Sequence, residues 1–403
     1  MIDKFFSPQQ TLSPDNPEPV QPKYKIEQIQ IPSNHELRIQ LNFQEEVRIR
    51  LRSGSALLMG MELSSFFFYK FPLYLKSTFI YSSEGCSVDL IYPEQVKLSH
   101  YCHDDEDQKN LRVLNFSELL ECNRQMSLSK LCFGPRVMLL GNSCSGKSTV
   151  LSMLGNQAVS RNWNPMVLNL DPCGGSSDFP GVISAKSLSN FWYQLQPNAE
   201  RLSFFFGADE LEKRQDLYIG LVKALMNEVE SVLDVDLQTF KDKLRTMAFL
   251  EENPPKKTAF CSGLFIDTPT GIQDLSERDL KQFIDLVNPD YLLIIHSDIL
   301  KTKLNKIYQN KKNIVSLGIN GGVSSVNSHE KSTLISNKLQ NFFYSDWAVF
   351  LRDSVKFDDI SVYKLDAMES LPLSYVDSQE NDKLKLTKID PRITDLKGKY
   401  NFF

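Results

Sequence analysis

At 403 residues the chain is too long for one ordinary domain, and 41% hydrophobic residues supply cores for two or three. A net charge of −5 argues against a protein that coats nucleic acid by bulk electrostatics, although it leaves room for a local basic site. Seven cysteines with no C-x-x-C pair make no disulfide framework and point to reduced thiols of the cytosol or nucleus.

In chain order, residues 1–22 carry Pro8, Pro14, Pro17, Pro19 and Pro22 and predict a disordered tail with no apparent leader peptide. Residues 23–118 predict a small β-sandwich. Glu36–Phe43 and Val47–Leu51 alternate with period two, and Gly54, Gly60 and Gly85 punctuate strands near 56–59, 65–69, 73–81 and 86–91. The basic alternation Arg38, Arg48, Arg50, Arg52 reads as a solvated strand face ahead of a nucleic-acid surface. The apolar window Leu63–Tyr81 is broken by Lys70, Pro72 and Lys76, so it predicts two strands and a turn, with no membrane span. Residues 119–135 predict a connector, with Ser117-x-x-Leu120-Glu121 as a helix start.

Residues 136–150, RVMLLGNSCSGKSTV, carry the most specific pattern. An apolar strand, Val137–Leu140, enters Gly141-x-x-x-x-Gly146-Lys147-Ser148, and a helix follows. The glycines let successive N–H groups turn toward phosphate oxygens. Lys147 places a charge on the β/γ-phosphates and Ser148 offers a hydroxyl to Mg²⁺. The expected nucleotide contacts are Gly141, Asn142, Ser143, Cys144, Ser145, Gly146, Lys147, Ser148 and Thr149.

Strand and helix patterns alternate through 136–325, which predicts a parallel sheet. Met166–Leu170 is an apolar strand ending at Asp171. A carboxylate there can hold the metal with Ser148, accept a substrate proton, or merely cap a turn. Leu264–Ile266 before Asp267 is a second candidate of the same form. Leu275–Val287 predicts an amphipathic helix, and Tyr291–His296 and Ile314–Ile319 predict core strands. His296 reads as packing, as does the run Phe204–Phe206. No N-K-x-D guanine signature occurs, which favours adenine. Residues 346–403 predict a small β-rich α/β domain. The expected fold is therefore α/β, with a central P-loop domain at 119–345 between a β-sandwich and this C-terminal domain.

Several short runs recur in an order that resembles the Clp/Grc-type family of polynucleotide 5′-hydroxyl kinases. Within that family the chain is similar to the fungal branch that serves as the ATP-binding subunit of cleavage factor IA. The runs are Glu36-Leu37-Arg38, Gly60-Met61-Glu62-Leu63, Gly134-Pro135-Arg136-Val137, Leu168-Asn169-Leu170-Asp171-Pro172 with Phe179-Pro180-Gly181, Phe205-Phe206-Gly207 with Tyr218, and Phe342-Phe343-Tyr344. The resemblance implies an adenine contact from the N-terminal domain, with Glu36 as candidate and Lys76 as a second. It also implies ATP and Mg²⁺ as cofactors, a nuclear location, and docking on the large scaffold subunit of cleavage factor IA beside other 3′-end processing subunits. The acidic net charge suggests that RNA is contacted indirectly, through those subunits.

Two departures from the active-kinase pattern stand out. No arginine occurs between Arg278 and Arg352, so the lid stretch Gly322–Tyr344 offers only Lys331 and Lys338. Lysine lacks the planar fork that stabilises a transferring phosphoryl group. Cys173-Gly174-Gly175 also replaces a Gln-Gly pair. The expectation from sequence is an ATP-holding structural subunit of the pre-mRNA 3′-end cleavage and polyadenylation complex without kinase turnover. The alternative is an active 5′-hydroxyl kinase with Asp171 as base.

Overall fold

The computed structural model describes residues 23–41, 47–71, 77–105, 108–142, 144–172, 180–191, 201–207, 215–247, 258–269, 271–309 and 311–318, with short pieces at 332–333, 335–336, 361–366 and 385–389. The expected tail, Lys76, Ser143, the Cys173–Gly175 run, the arginine-free lid stretch apart from four residues, and most of 346–403 lie outside the described residues. The chain divides into two units after Leu111.

Among its described residues, the first unit pairs nine strands into two antiparallel sheets. Strands β1 (Tyr24–Ile31), β3 (Arg48–Gly54), β6 (Tyr69–Lys70) and β8 (Cys86–Pro93) form one, in the order β1-β8-β3-β6. Strands β2 (His35–Gln40), β4 (Leu57–Leu58), β5 (Met61–Glu62), β7 (Ser77–Ser82) and β9 (Ser99–Asp104) form the other, in the order β5-β4-β7-β2-β9. The period-two pattern decides which face is buried: Leu37, Ile39, Ile49, Leu51, Ile80, Val88 and Leu90 are all buried. The arginine alternation is not a plain solvated face. Arg38 is buried against the carboxylate of Glu36, and Arg50 and Arg52 converge on Asp89, which is fully buried. The turn before β6 also departs from expectation. Residues 65–68 form no strand, and Phe66, Phe67 and Phe68 stand exposed.

Helix α1 (Lys109–Lys130) begins well ahead of the expected start at Ser117. The cause is Asp105, whose two carboxylate oxygens accept the backbone N–H groups of Lys109 and Asn110 at 2.9 Å each. Such a cap needs no apolar periodicity, so a scan for amphipathic pattern passes over it.

The second unit is built on a sheet with seven strands among the described residues. Its strands are β10 (Arg136–Gly141), β11 (Met166–Asn169), β12 (Val182–Ser187), β13 (Arg201–Phe205), β14 (Leu264–Asp267), β15 (Tyr291–Ile295) and β16 (Asn313–Leu317), in the order β13-β12-β11-β14-β10-β15-β16. The five from β11 to β16 in that order run parallel, while β12 and β13 are antiparallel, so the sheet is mixed. Val137, Met138, Leu139 and Leu140 are all fully buried, as a central strand covered on both faces requires. The Phe204–Phe206 run is only partly core. On the edge strand Phe205 faces solvent, and Phe206 is buried one residue beyond the strand end.

Helices α2 (Lys147–Ser160), α3 (Gln215–Met247), α4 (Ala259–Ser262), α5 (Glu277–Val287) and α6 (Asp298–Tyr308) complete the unit among the described residues. The stripe Tyr218, Val222, Leu225, Met226, Val229, Leu233, Leu237, Phe240 is buried along α3. A separate antiparallel pair joins β17 (Val362–Asp366) and β18 (Lys385–Ile389).

Arg124 on α1 is a buried cation inside this unit. Its Nε donates to the Ser262 carbonyl at 2.8 Å, its guanidinium lies 5.7 Å from the Phe265 ring centre, and burial pushes its pKa down to about 10. Arg124→Ala removes the packing stem and leaves that carbonyl unpaired. We expect a loss of about 2–5 kcal/mol in urea unfolding, with Arg124→Met losing less because it refills the volume.

Candidate active site

The parallel strands bring their carboxyl ends to one edge, where ligands collect in open α/β sheets. At this edge β10 lies between β14 and β15. The loop leaving β10 is tightly constrained. A side chain at Gly141 would place its Cβ 2.6 Å from the Ile295 carbonyl oxygen and 2.8 Å from Ser145 Oγ. Gly146 adopts φ 94° as the residue capping α2, a left-handed conformation that glycine accepts without strain. Gly146 has no side chain to cap the helix, so the first N–H groups of α2 and the positive end of its dipole face the loop. These features make a cradle for phosphate.

Lys147 is 6% exposed, and its Nζ donates to the carbonyls of Gly141 at 3.0 Å and Asn142 at 2.9 Å. Burial lowers its pKa, while the nearby charges of Asp267, Asp171 and Cys144 act in the opposite sense. Ser145 Oγ is buried with no hydrogen-bond partner among the described residues. A buried hydroxyl without a partner is costly unless a ligand satisfies it, so the loop fits an anionic, oxygen-rich guest. Asn142 is exposed, and Cys144 and Thr149 are half-buried on the same turn.

Ser148 Oγ donates to Asp267 Oδ2 at 2.8 Å. The expectation paired Ser148 with Asp171 for the metal, but the carboxylate that meets Ser148 is Asp267. Strand order is the reason: β14, which carries Asp267, lies directly beside β10, while β11 is one strand further out. Both candidate strands are apolar and end in an acid, so spacing alone could not rank them. Thr268, also missed, ties the two strands by donating from Oγ1 to the Leu139 carbonyl at 2.6 Å.

Asp171 lies two residues past Asn169, the register partner of Asp267, and is half-exposed. Its N–H donates to Asn169 Oδ1 at 3.1 Å. The preceding residue is held from α3: the Tyr218 hydroxyl donates to the Leu170 carbonyl at 2.8 Å, and its ring stacks on Phe283 at 6.1 Å. Tyr218 is fully buried, which raises its pKa well above normal. It therefore stays a neutral donor and fixes where the chain carries Asp171. The amphipathic period of α3 was available in the sequence as a signal for this helix.

His296 is not packing. It is exposed at the end of β15 with φ 49°, and its N–H donates to the Leu317 carbonyl at 3.0 Å. In the other unit Glu36 is buried. Its carboxylate accepts from Arg38 Nε at 2.6 Å and from Asn110 Nδ2 at 3.1 Å.

Fold and loop together define a P-loop nucleotide-binding protein. Residues 141–345 match the family model of the mRNA cleavage and polyadenylation factor CLP1 P-loop, and residues 30–127 match that of the N-terminal β-sandwich domain of polyadenylation factor. The chain belongs to this CLP1 family. It is 24% identical over 393 residues to the mRNA cleavage and polyadenylation factor CLP1 of Vanderwaltozyma polyspora, covering 91% of this chain and 79% of that protein. It is 26% identical over 363 residues to the polyribonucleotide 5′-hydroxyl-kinase Clp1 of Homo sapiens, covering 88% and 79%. The fold is similar to that of the wild-type Clp1p–Pcf11p complex, with a TM-score of 0.68 and 22% identity over 85% of this chain and 79% of that one.

The expectation of a nucleotide holder without turnover is corrected by these relatives. Proteins that match most of the chain, P-loop included, carry the name of a 5′-hydroxyl kinase. An arginine-free stretch does not exclude transfer, because composition does not say which cation reaches a phosphoryl group in space.

Proposed function

We propose that this chain is a polynucleotide 5′-hydroxyl kinase that transfers the γ-phosphate of ATP to the 5′-hydroxyl of RNA. The observation that carries the reading is the Ser148–Asp267 contact beside the buried Lys147 ammonium. It is supported by the kinase names of the relatives. The loop N–H groups and Ser145 hold the triphosphate, and Lys147 neutralises charge on its β/γ end. A divalent cation such as Mg²⁺ at this place would supply positive charge that offsets the charge developing in transfer. Ser148 and Asp267 are the residues that would hold it, a fit with an ion that takes one or two protein oxygens and otherwise binds phosphate and water.

Asp171, further out on the same edge, takes the proton of the attacking hydroxyl. The 5′-oxygen forms a bond to the γ-phosphorus as the bond to the β–γ bridging oxygen breaks, and ADP leaves. Family membership supports work in the nucleus within the 3′-end cleavage and polyadenylation machinery. The Clp1p–Pcf11p likeness suggests docking on a scaffold subunit of that kind. Purified protein given terminally labelled ATP, Mg²⁺ and a 5′-hydroxyl RNA is expected to label the RNA. Retained ATP binding with no label transferred would overturn the reading.

A further inference from the structure

The outer face of the β1-β8-β3-β6 sheet carries a second polar site that the kinase chemistry does not use. Gln28, Asp89 and Arg50 lie side by side on three adjacent strands. Arg50 reaches Asp89 through Nη2 at 2.7 Å and Arg52 through Nε at 2.8 Å, so two guanidinium groups share one fully buried carboxylate and one positive charge is left over. Arg52 Nη1 reaches Gln28 Oε1 at 3.5 Å, and Gln28 Nε2 donates to Ser87 Oγ at 3.1 Å. Arg50 Nη1 and Arg52 Nη2 have no hydrogen-bond partner among the described residues. These groups line a depression of about 500 Å³ that also takes in Gln30, Ser53 and Ser65.

Directly after Ser65 come Phe66, Phe67 and Phe68, which are 87%, 63% and 55% exposed. Arg50 lies over the Phe68 ring at 5.2 Å. Three adjacent exposed phenylalanines are costly in water, and single-stranded nucleic acid is the partner that uses both halves of this surface. Guanidinium and hydroxyl groups take the phosphate, and bare rings take unstacked bases. An acidic peptide would use the cations and leave the rings idle.

We propose that this face of the N-terminal unit is a single-stranded RNA site, with a phosphate held by Arg50, Arg52 and the serines, and bases stacked on Phe66 and Phe67. It rests on the kinase reading only for the choice of RNA as the strand; the site stands on its own geometry. It gives the acidic chain a local basic surface for direct RNA contact, where net charge alone suggested contact through other subunits.

The test is fluorescence anisotropy of full-length protein with a labelled oligouridine of about a dozen nucleotides, without ATP, so that phosphoryl transfer plays no part. Both variants alter exposed side chains, and Arg50 still pairs with Asp89 when Arg52 is changed. Phe66→Ala/Phe67→Ala is expected to weaken binding at least about fivefold, the effect of losing one stacked base. Arg52→Gln is expected to weaken it and to flatten its salt dependence. A 4-thiouridine strand is expected to photocross-link to the peptide containing Phe66–Phe68. Unchanged affinity in both variants with cross-links elsewhere would overturn the proposal, as would equal displacement of RNA by polyglutamate. Loss of binding in the variants with transfer to a short 5′-hydroxyl oligomer intact would support it.

Discussion

Lys147→Met is expected to lower phosphoryl transfer about 10³-fold and to abolish the thermal stabilisation that ATP gives the parent protein. Transfer of a phosphoryl group is mostly positioning and charge stabilisation, and removing one such preorganised group costs about 2.7–4 kcal/mol of barrier. Lys147 is the buried cation of the loop, already drawn toward the carbonyls of Gly141 and Asn142. A ligand that binds only the native form stabilises it by about 4 kcal/mol at a thousandfold excess over Kd, so the parent should show a clear rise in Tm with ATP. Without nucleotide the variant should be as stable as the parent or slightly more so. Methionine fills similar volume without the desolvation cost that lowers the lysine pKa. A variant that kept its ATP-induced Tm shift would remove Lys147 from the binding role.

The second expected result separates the two acids that look alike in sequence. Asp171→Asn and Asp267→Asn are each expected to cut transfer by about 10²–10⁴, but for different reasons. Asp267 touches Ser148, so its loss should raise the Mg²⁺ concentration needed for half-maximal activity. Asp171 follows β11, one strand further from β10 than β14, and is held through Leu170 by the Tyr218 hydroxyl. Its loss should leave ATP binding and the Mg²⁺ requirement in place while the pH dependence of kcat loses its acidic limb. A Tyr218→Phe variant should show a milder form of the Asp171 defect, because the anchoring hydrogen bond goes while the ring stays. If Asp171→Asn shifted the Mg²⁺ requirement and Asp267→Asn did not, the two assignments would exchange.

Much of this site was readable before any fold was seen. Residues 141–148 are a local device: backbone N–H groups, two glycines, a lysine and a serine within one turn need no distant partner to be recognised. The alternation at Leu37, Ile39, Ile49 and Leu51 likewise identified the sandwich, since burial of one strand face follows directly from period two. The kinase question was not settled by counting arginines. A charge can reach a phosphate from any segment the fold brings near.

The sequence by itself determined the phosphate loop, the sandwich, the alternating strands and helices, and the family, because each is written in short-range pattern or in ordered motifs. Only the tertiary structure decided that Asp267 meets Ser148, that Tyr218 anchors the approach to Asp171, and that Arg50 and Arg52 share Asp89 beside three bare phenylalanines. Those facts depend on strand order and on which faces stay uncovered. Both are set by packing between segments far apart in the chain, which no local period records.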